Sequence, residues 1–421
     1  MRGLAIAGLG ILLAFSTRAA EPAPLWTVER TAVRETTLRL DLPQMRALLA
    51  QAPMEGTEVA AAPVEVTLPM PDGRLVRFGA VESPILEPAL AARYPEIRTY
   101  AATGLDDRTA IARFDLTPRG FHALVLGPGG TAFVEPVAPG DLLLYVSAPR
   151  QISAGKARPA CEGEEVESSV NIEGPRAPRA PQGGVITRDD ERRVYRFLAG
   201  ATGEFTQAHG GTVQSALAAI TTTMNGVNAI YQRDVGVRLE LIAASTNMIF
   251  TDMNTDGYSS QDTDCDPAPP PCVPFPSDCL LTENHCHADI LVGSENYDLS
   301  IVFDESNKGK AALGSVCGTL KGRGATGGTG VDLAAHEIGH MFGAHHSFNG
   351  TTDTCSGQRD AGWATEPGSG STIMSYAGAC GAENIERIRD LQFSQNSFFD
   401  MVGYTMLGQG NNCPLLLHTF N

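Results

Sequence analysis

The segment that most limits what this chain can become runs Val331-Asp332-Leu333-Ala334-Ala335-His336-Glu337-Ile338-Gly339-His340-Met341-Phe342-Gly343-Ala344-His345-His346. His336 and His340 are four residues apart, so a helix puts both imidazoles on one face. Gly343 follows His340 by three residues and can adopt the left-handed backbone that ends a helix in a sharp turn. The chain can then swing His346 back to the same point. Three neutral imidazoles on one ion leave the fourth position of a tetrahedral zinc open, the arrangement of a catalytic site. Glu337 stands beside the first histidine, where its carboxylate can reach water held by that ion. Asp332 is expected to favour the start of the helix.

A second element follows. In Ser371-Thr372-Ile373-Met374-Ser375-Tyr376, Met374 comes 28 residues after His346. The pattern H-E-x-x-H-x-x-G-x-x-H followed by such a Met-turn resembles the metzincin metalloendopeptidases. It is most similar to the bacterial, secreted, reprolysin-like group, over about Val194–Met406. The resemblance implies an α/β fold: a metzincin catalytic domain with a twisted mixed sheet, helices and a zinc cleft, preceded by a β-rich prodomain. It implies one catalytic zinc on His336, His340 and His346, Glu337 as general base, and protein or peptide substrates. The motif spacing selects His346 over His345 as third ligand. The strand region Lys310–Cys317 is expected to be the sheet edge along which an extended substrate adds. Met374 reads as adaptable packing under the site, with no chemistry assigned to it. Reprolysins usually carry Asp after the third histidine; here the residue is Ser347, as in matrixins. Tyr376, two residues after Met374, matches astacins and serralysins, in which that tyrosine ligates zinc or stabilises the transition state. The other reading of Tyr376 is a phenol packed beneath the site.

The rest of the chain gives the context. Arg2 and the apolar run Leu4–Phe15 are followed by small residues, with cleavage expected after Ala19 and Ala20 as a close competitor. A run of about 12 residues is too short to span a bilayer, so residues 1–19 read as a secretory signal peptide and the mature protein as exported, extracellular or periplasmic, without a membrane anchor. Export makes most cysteines candidates for disulfides. There are nine, an odd number, and eight lie beyond residue 260. The ninth, Cys161, sits in Arg-Pro-Ala-Cys-Glu-Gly between the two halves of the chain. Many metzincin propeptides place a cysteine there to fill the open zinc position. Cys161 is therefore the candidate zymogen switch, and its removal leaves eight cysteines able to form four bridges; the other reading is a cysteine that pairs elsewhere or stays free. Cys265/Cys272 and Cys279/Cys286 are candidate local pairs.

Residues 20–150 read as a β-rich propeptide. Val64, Val66 and Leu68 alternate ahead of a Pro71-Asp72-Gly73 turn, and Leu75, Val76 and Phe78 follow, which signals a hairpin. Further strands are expected at residues 112–116 and 123–126. Residues 151–190 are rich in Pro, Gly and Arg and read as a linker, with Arg176, Arg179 and Arg188 as candidate processing positions. The protease domain is expected over 191–406. It should contain an interior strand from Val194, a helix with Val213, Leu217, Ile220, Met224, Val227 and Tyr231 on one face, and strands at Val237–Leu241 and Leu299–Phe303. Residues 407–421 read as a C-terminal tail. Asp252–Gly257 resembles the start of a calcium loop but has Thr263 where a bidentate Glu belongs, so a plain polar turn and a Ca2+ site both stand. His285-Cys286-His287 is a weaker hint of a second metal.

The formal charge of −17 leaves no excess of cations for phosphates and argues against a nucleic-acid partner. No oligomer is implied, and a monomer is expected. The function expected is a secreted zinc endopeptidase made as a zymogen. The alternatives are a zinc-bearing binding or adhesion module and a glycoprotein protease of very narrow specificity.

Overall fold

Two sheets, one on either side of a long helix, organise the computed structural model, which describes residues 24–57, 62–151, 191–259, 279–306 and 308–418. The first contains β1 (Trp26–Ala32), β2 (Glu35–Leu40), β3 (Val64–Pro69), β4 (Leu75–Glu82), β5 (Arg98–Gly104), β6 (Ile111–Thr117), β7 (Gly120–Gly127), β8 (Gly130–Pro136) and β9 (Leu144–Ala148), with helices α1 (Leu42–Leu49) and α2 (Pro88–Arg93) between them. Its order is β1-β2-β9-β8-β7-β6-β5-β4-β3, antiparallel throughout. The expected hairpin is β3–β4, turned by Gly73 at φ +86°. Trp26 Nε1 donates to Thr67 O at 2.8 Å, which draws the two end strands toward each other around an aromatic core. Period-two alternation is visible along β7. Phe121, Ala123 and Val125 point into the sheet's own core, while Leu124 and Leu126 join the core of the second unit.

The second sheet contains β10 (Glu191–Ala201), β11 (Val237–Leu241), β12 (Leu299–Asp304), β13 (Gly309–Ala311), β14 (Gly324–Gly327) and β15 (Leu415–His418). Its path is β11-β10-β12-β14-β13; β13 and β15 run antiparallel to their neighbours and the other pairs are parallel. The accompanying helices are α3 (Gly203–Ala208), α4 (Val213–Asp234), α5 (Cys279–Leu291), α6 (Val331–Met341) and α7 (Gln395–Met406). A reciprocal Thr212/Ser215 capping box starts α4. Its predicted apolar stripe is buried from Leu217 to Tyr231, and its other faces are buried too, because the first sheet covers them. Close crossing of α4 and α6 requires Gly226: a Cβ there would lie 2.7 Å from Val331 Cγ2.

Three expectations change. The edge strand ends at Ala311 and does not run on to Cys317. Beyond it Gly314 turns at φ +59°, and the amides of Gly314 and Ser315 donate to His340 O and Met341 O at 2.9 Å, closing the C-terminal end of α6. Within the expected tail, 407–421, Leu415–His418 joins the sheet by pairing with the start of β10, and Cys413 is bonded to Cys317. Tyr195 adds a hydrogen bond to Gly410 O at 2.7 Å. Gln151, read as the first linker residue, is docked on the chain just before α6.

A second disulfide joins Cys355 and Cys380, and Cys279 and Cys286 are each disulfide-bonded. Cys161, Cys265 and Cys272, the expected signal peptide 1–19 and linker positions 152–190 lie outside the described residues. Among the described residues, no helix is long and apolar enough to cross a membrane.

Candidate metal centre and active site

Helix α6 carries His336, Glu337 and His340, all buried. It starts at Gly330 without a side-chain cap of its own. Asp332, in the first turn, does not cap the helix; it accepts from Arg389 at 3.3 Å. The helix ends as the sequence suggested. Gly343 has φ +86°, its amide donates to His340 O at 2.8 Å, and the Ala344 amide donates to Gly339 O at 2.9 Å. These two bonds form a Schellman motif. The turn returns His346 to the helix face.

Each imidazole is oriented by a carbonyl behind it. His336 Nδ1 meets Ile373 O at 2.7 Å, His340 Nδ1 meets Ala344 O at 2.8 Å, and His346 Nδ1 meets Gln358 O at 3.0 Å. A carbonyl only accepts, so Nδ1 carries the proton and Nε2 presents a lone pair. His340 Nε2 lies 3.1 Å from both His336 Nε2 and His346 Nε2. Burial pushes all three imidazoles below their ordinary range, His340 to about 4, so they are neutral. Converging neutral lone pairs repel one another unless a cation lies between them. Tetrahedral zinc with bonds of about 2.0–2.1 Å would space its nitrogens by about 3.3 Å, close to what is found. Among the described residues, this is the group of three or more His, Cys, Asp or Glu side chains that could hold a metal ion.

Other sequence candidates fall into place around it. His345 points elsewhere: it pairs with Asp360 at 2.8 Å and stacks on Trp363 at 3.8 Å. Glu337 packs against edge strand β13 so closely that a Cβ at Gly309 would collide with its carboxylate. Tyr376 is buried, stacked on Phe348 at 4.4 Å and edge-on to His346 at 4.7 Å. Met374 lies under the helix, against Gly339. In the segment resembling a calcium loop, Asp256 accepts from the amides of Gly203 at 2.7 Å and Tyr258 at 3.0 Å, and Asp252 accepts from that of Asn254 at 3.0 Å. That is the bonding of a polar turn; Thr263 lies outside the described residues. His287 rests edge-on to Tyr258, and His285 is 3.8 Å from Asp289.

Three supporting residues were not singled out from sequence. Glu366 accepts from the amides of Ser371 (3.0 Å) and Thr372 (3.1 Å), from the Thr372 hydroxyl, and from Ser347, so it ties the residue after His346 to the Met-turn. Arg389 donates to Ser375 O at 2.9 Å as well as to Asp332, joining the Met-turn to the start of α6. Neither has a local signal. Gly339 does have one, because glycine inside a helix is unfavourable without a packing reason. A Cβ there would lie 2.5 Å from Met374 Sδ. Gly339→Ala is therefore expected to displace the Met-turn, lower stability by about 1–3 kcal/mol and reduce bound metal, measured by thermal unfolding and metal analysis. Unchanged values for both would refute that packing constraint.

Residues 191–399, about half of the chain, match the family model for metallo-peptidase family M12B, reprolysin-like. No curated protein matches the chain. Among solved structures it is similar to metalloproteinase-II from Bacteroides fragilis, at 11% identity and a TM-score of 0.46, covering 86% of this chain and 95% of that one. It is also similar to a chain of a chaperone–substrate complex, at 11% identity and a TM-score of 0.27, covering 66% and 37%. Those two likenesses are too distant to add to the assignment, which rests on the family match and on the histidine group found inside it. The chain belongs to the reprolysin-like M12B metallopeptidases and is a zinc metalloendopeptidase.

Proposed function

We propose that this is a secreted endopeptidase made as a latent precursor, with His336, His340 and His346 as zinc ligands and Glu337 as general base. The observation that carries the assignment is the convergence of three Nε2 atoms whose rings are already committed through Nδ1. Zinc held there supplies Lewis-acid chemistry, polarising a carbonyl and making water more acidic.

The chain's own residues do the rest. Glu337 takes a proton from the attacking water and delivers it to the departing amine. Its place between α6 and Gly309 puts that carboxylate beside any peptide added to β13. An extended substrate pairs with β13 through its main chain, and side-chain pockets set the preference. The Tyr376 hydroxyl donates to the carbonyl oxygen as negative charge develops, and the Phe348 and His346 contacts hold the ring. Met374 positions the floor and takes no part in the chemistry.

Secretion is supported by the signal-like start and by the disulfides Cys317–Cys413 and Cys355–Cys380, which favour an oxidising compartment. Latency is assigned to Cys161, whose thiolate suits the open zinc position.

Glu337→Gln should keep one zinc per chain while kcat/KM on a denatured protein substrate falls by roughly 10²–10⁴. Ordinary turnover in that variant would sink the assignment of the base. Cys161→Ala should make the uncut protein active before any proteolysis. An uncut variant as silent as the parent would place the block on other residues of the N-terminal half.

A further inference from the structure

We propose that the N-terminal sheet is a permanent subunit of the enzyme: after a cut within residues 152–190, residues 24–151 stay bound to the catalytic unit, and the processed protein is a non-covalent two-chain complex. Only the occurrence of a natural cut rests on the zymogen reading; the contacts stand without it.

The sheet docks away from the cleft. Leu86 bridges to Leu241 on β11, with Leu241 N to Ile85 O at 2.7 Å and Glu87 N to Leu241 O at 2.8 Å. β11 is one end of the catalytic sheet, and β13, beside Glu337, is the other. This β11 contact and the Glu337 edge thus lie at opposite ends of the catalytic sheet.

The contact has the character of an interior. Leu86, Leu124 and Phe133 belong to one buried cluster with Ile220, Met224 and Val227 of α4. Interfaces that resemble a divided core are typical of obligate complexes. Polar groups across it are matched as well. Glu55 accepts from both Arg192 and Arg238 at 2.8 Å, and Arg113 donates to Asn225 at 2.8 Å. Arg113 and Arg238 are both buried in the assembled chain, and Arg238 bridges Glu55 of the first unit and Glu240 of its own, so these hydrogen bonds fix how the two units register. Arg192 follows the cut region directly and remains with the catalytic chain, so cutting does not remove this anchor.

The N-terminal unit also completes the start of α6. Gly330 offers α6 no side-chain cap. Gln151 fills that role from the other unit: its Oε1 accepts from Val331 N at 3.0 Å, and its Nε2 donates to Thr329 O at 2.9 Å. A free first-turn amide is one of the groups a helix must satisfy from outside itself.

The test inserts a specific protease site between residues 160 and 190 of the full chain, so that the outcome depends neither on natural processing nor on activity. After complete cutting, verified by denaturing mass spectrometry, the protein is run on size exclusion and native mass spectrometry at micromolar concentration. The expected result is one species containing both fragments, with amide exchange at Val331 unchanged from the uncut protein. Two separate peaks, or loss of protection at Val331 after cutting, would overturn the proposal.

Discussion

Three backbone carbonyls hold the site in its working form. Ile373, Ala344 and Gln358 each accept an Nδ1 proton, and this fixes which nitrogen of each imidazole faces the centre. They come from the Met-turn, from the turn after α6, and from the loop beyond His346. The metal-facing geometry thus depends on three separate stretches of chain folding correctly. Together they aim the three Nε2 atoms at one point. Burial works in the same direction, because it keeps the imidazoles neutral and able to donate their lone pairs.

Around that core, the loops are tied by charge-assisted hydrogen bonds. Glu366 gathers Ser347, Ser371 and Thr372, and Arg389 links Asp332 to Ser375. Ser347 stands where reprolysins usually carry an aspartate. The negative charge is not lost from the neighbourhood; it is supplied by Glu366, 19 residues on. Gly339 then lets Met374 lie directly against the helix between the first two histidines. The disulfide from Cys317 to Cys413 and the pairing of β15 with β10 hold the C-terminal segment against the same unit.

Much of this was legible in the sequence where local spacing dictates geometry. The 3–4 periodicity of α4, the alternation in β3 and β7, the i,i+4 histidines and the glycine that ends α6 each follow from the chain's own repeat distances. What local pattern does not encode is the partner brought from far away. Nothing near Gln151 announces that it caps a helix 180 residues later, and nothing near Leu415 announces the strand it joins. The overestimated edge strand has a similar cause. The residues after Ala311 have strand-compatible composition, but their amides are claimed by the end of α6. A polar turn and a calcium loop also share their first residues, so only the bonding of Asp252 and Asp256 distinguishes them.

Activity depends on three histidines sharing one ion, and zinc-edge X-ray absorption of the processed, active protein tests this most directly. The expected spectrum shows one zinc per chain with three imidazole nitrogens at about 2.0–2.1 Å, a further oxygen ligand and no sulfur. A protein that binds no zinc, or whose zinc has fewer than three imidazoles or a sulfur-rich shell, would contradict it.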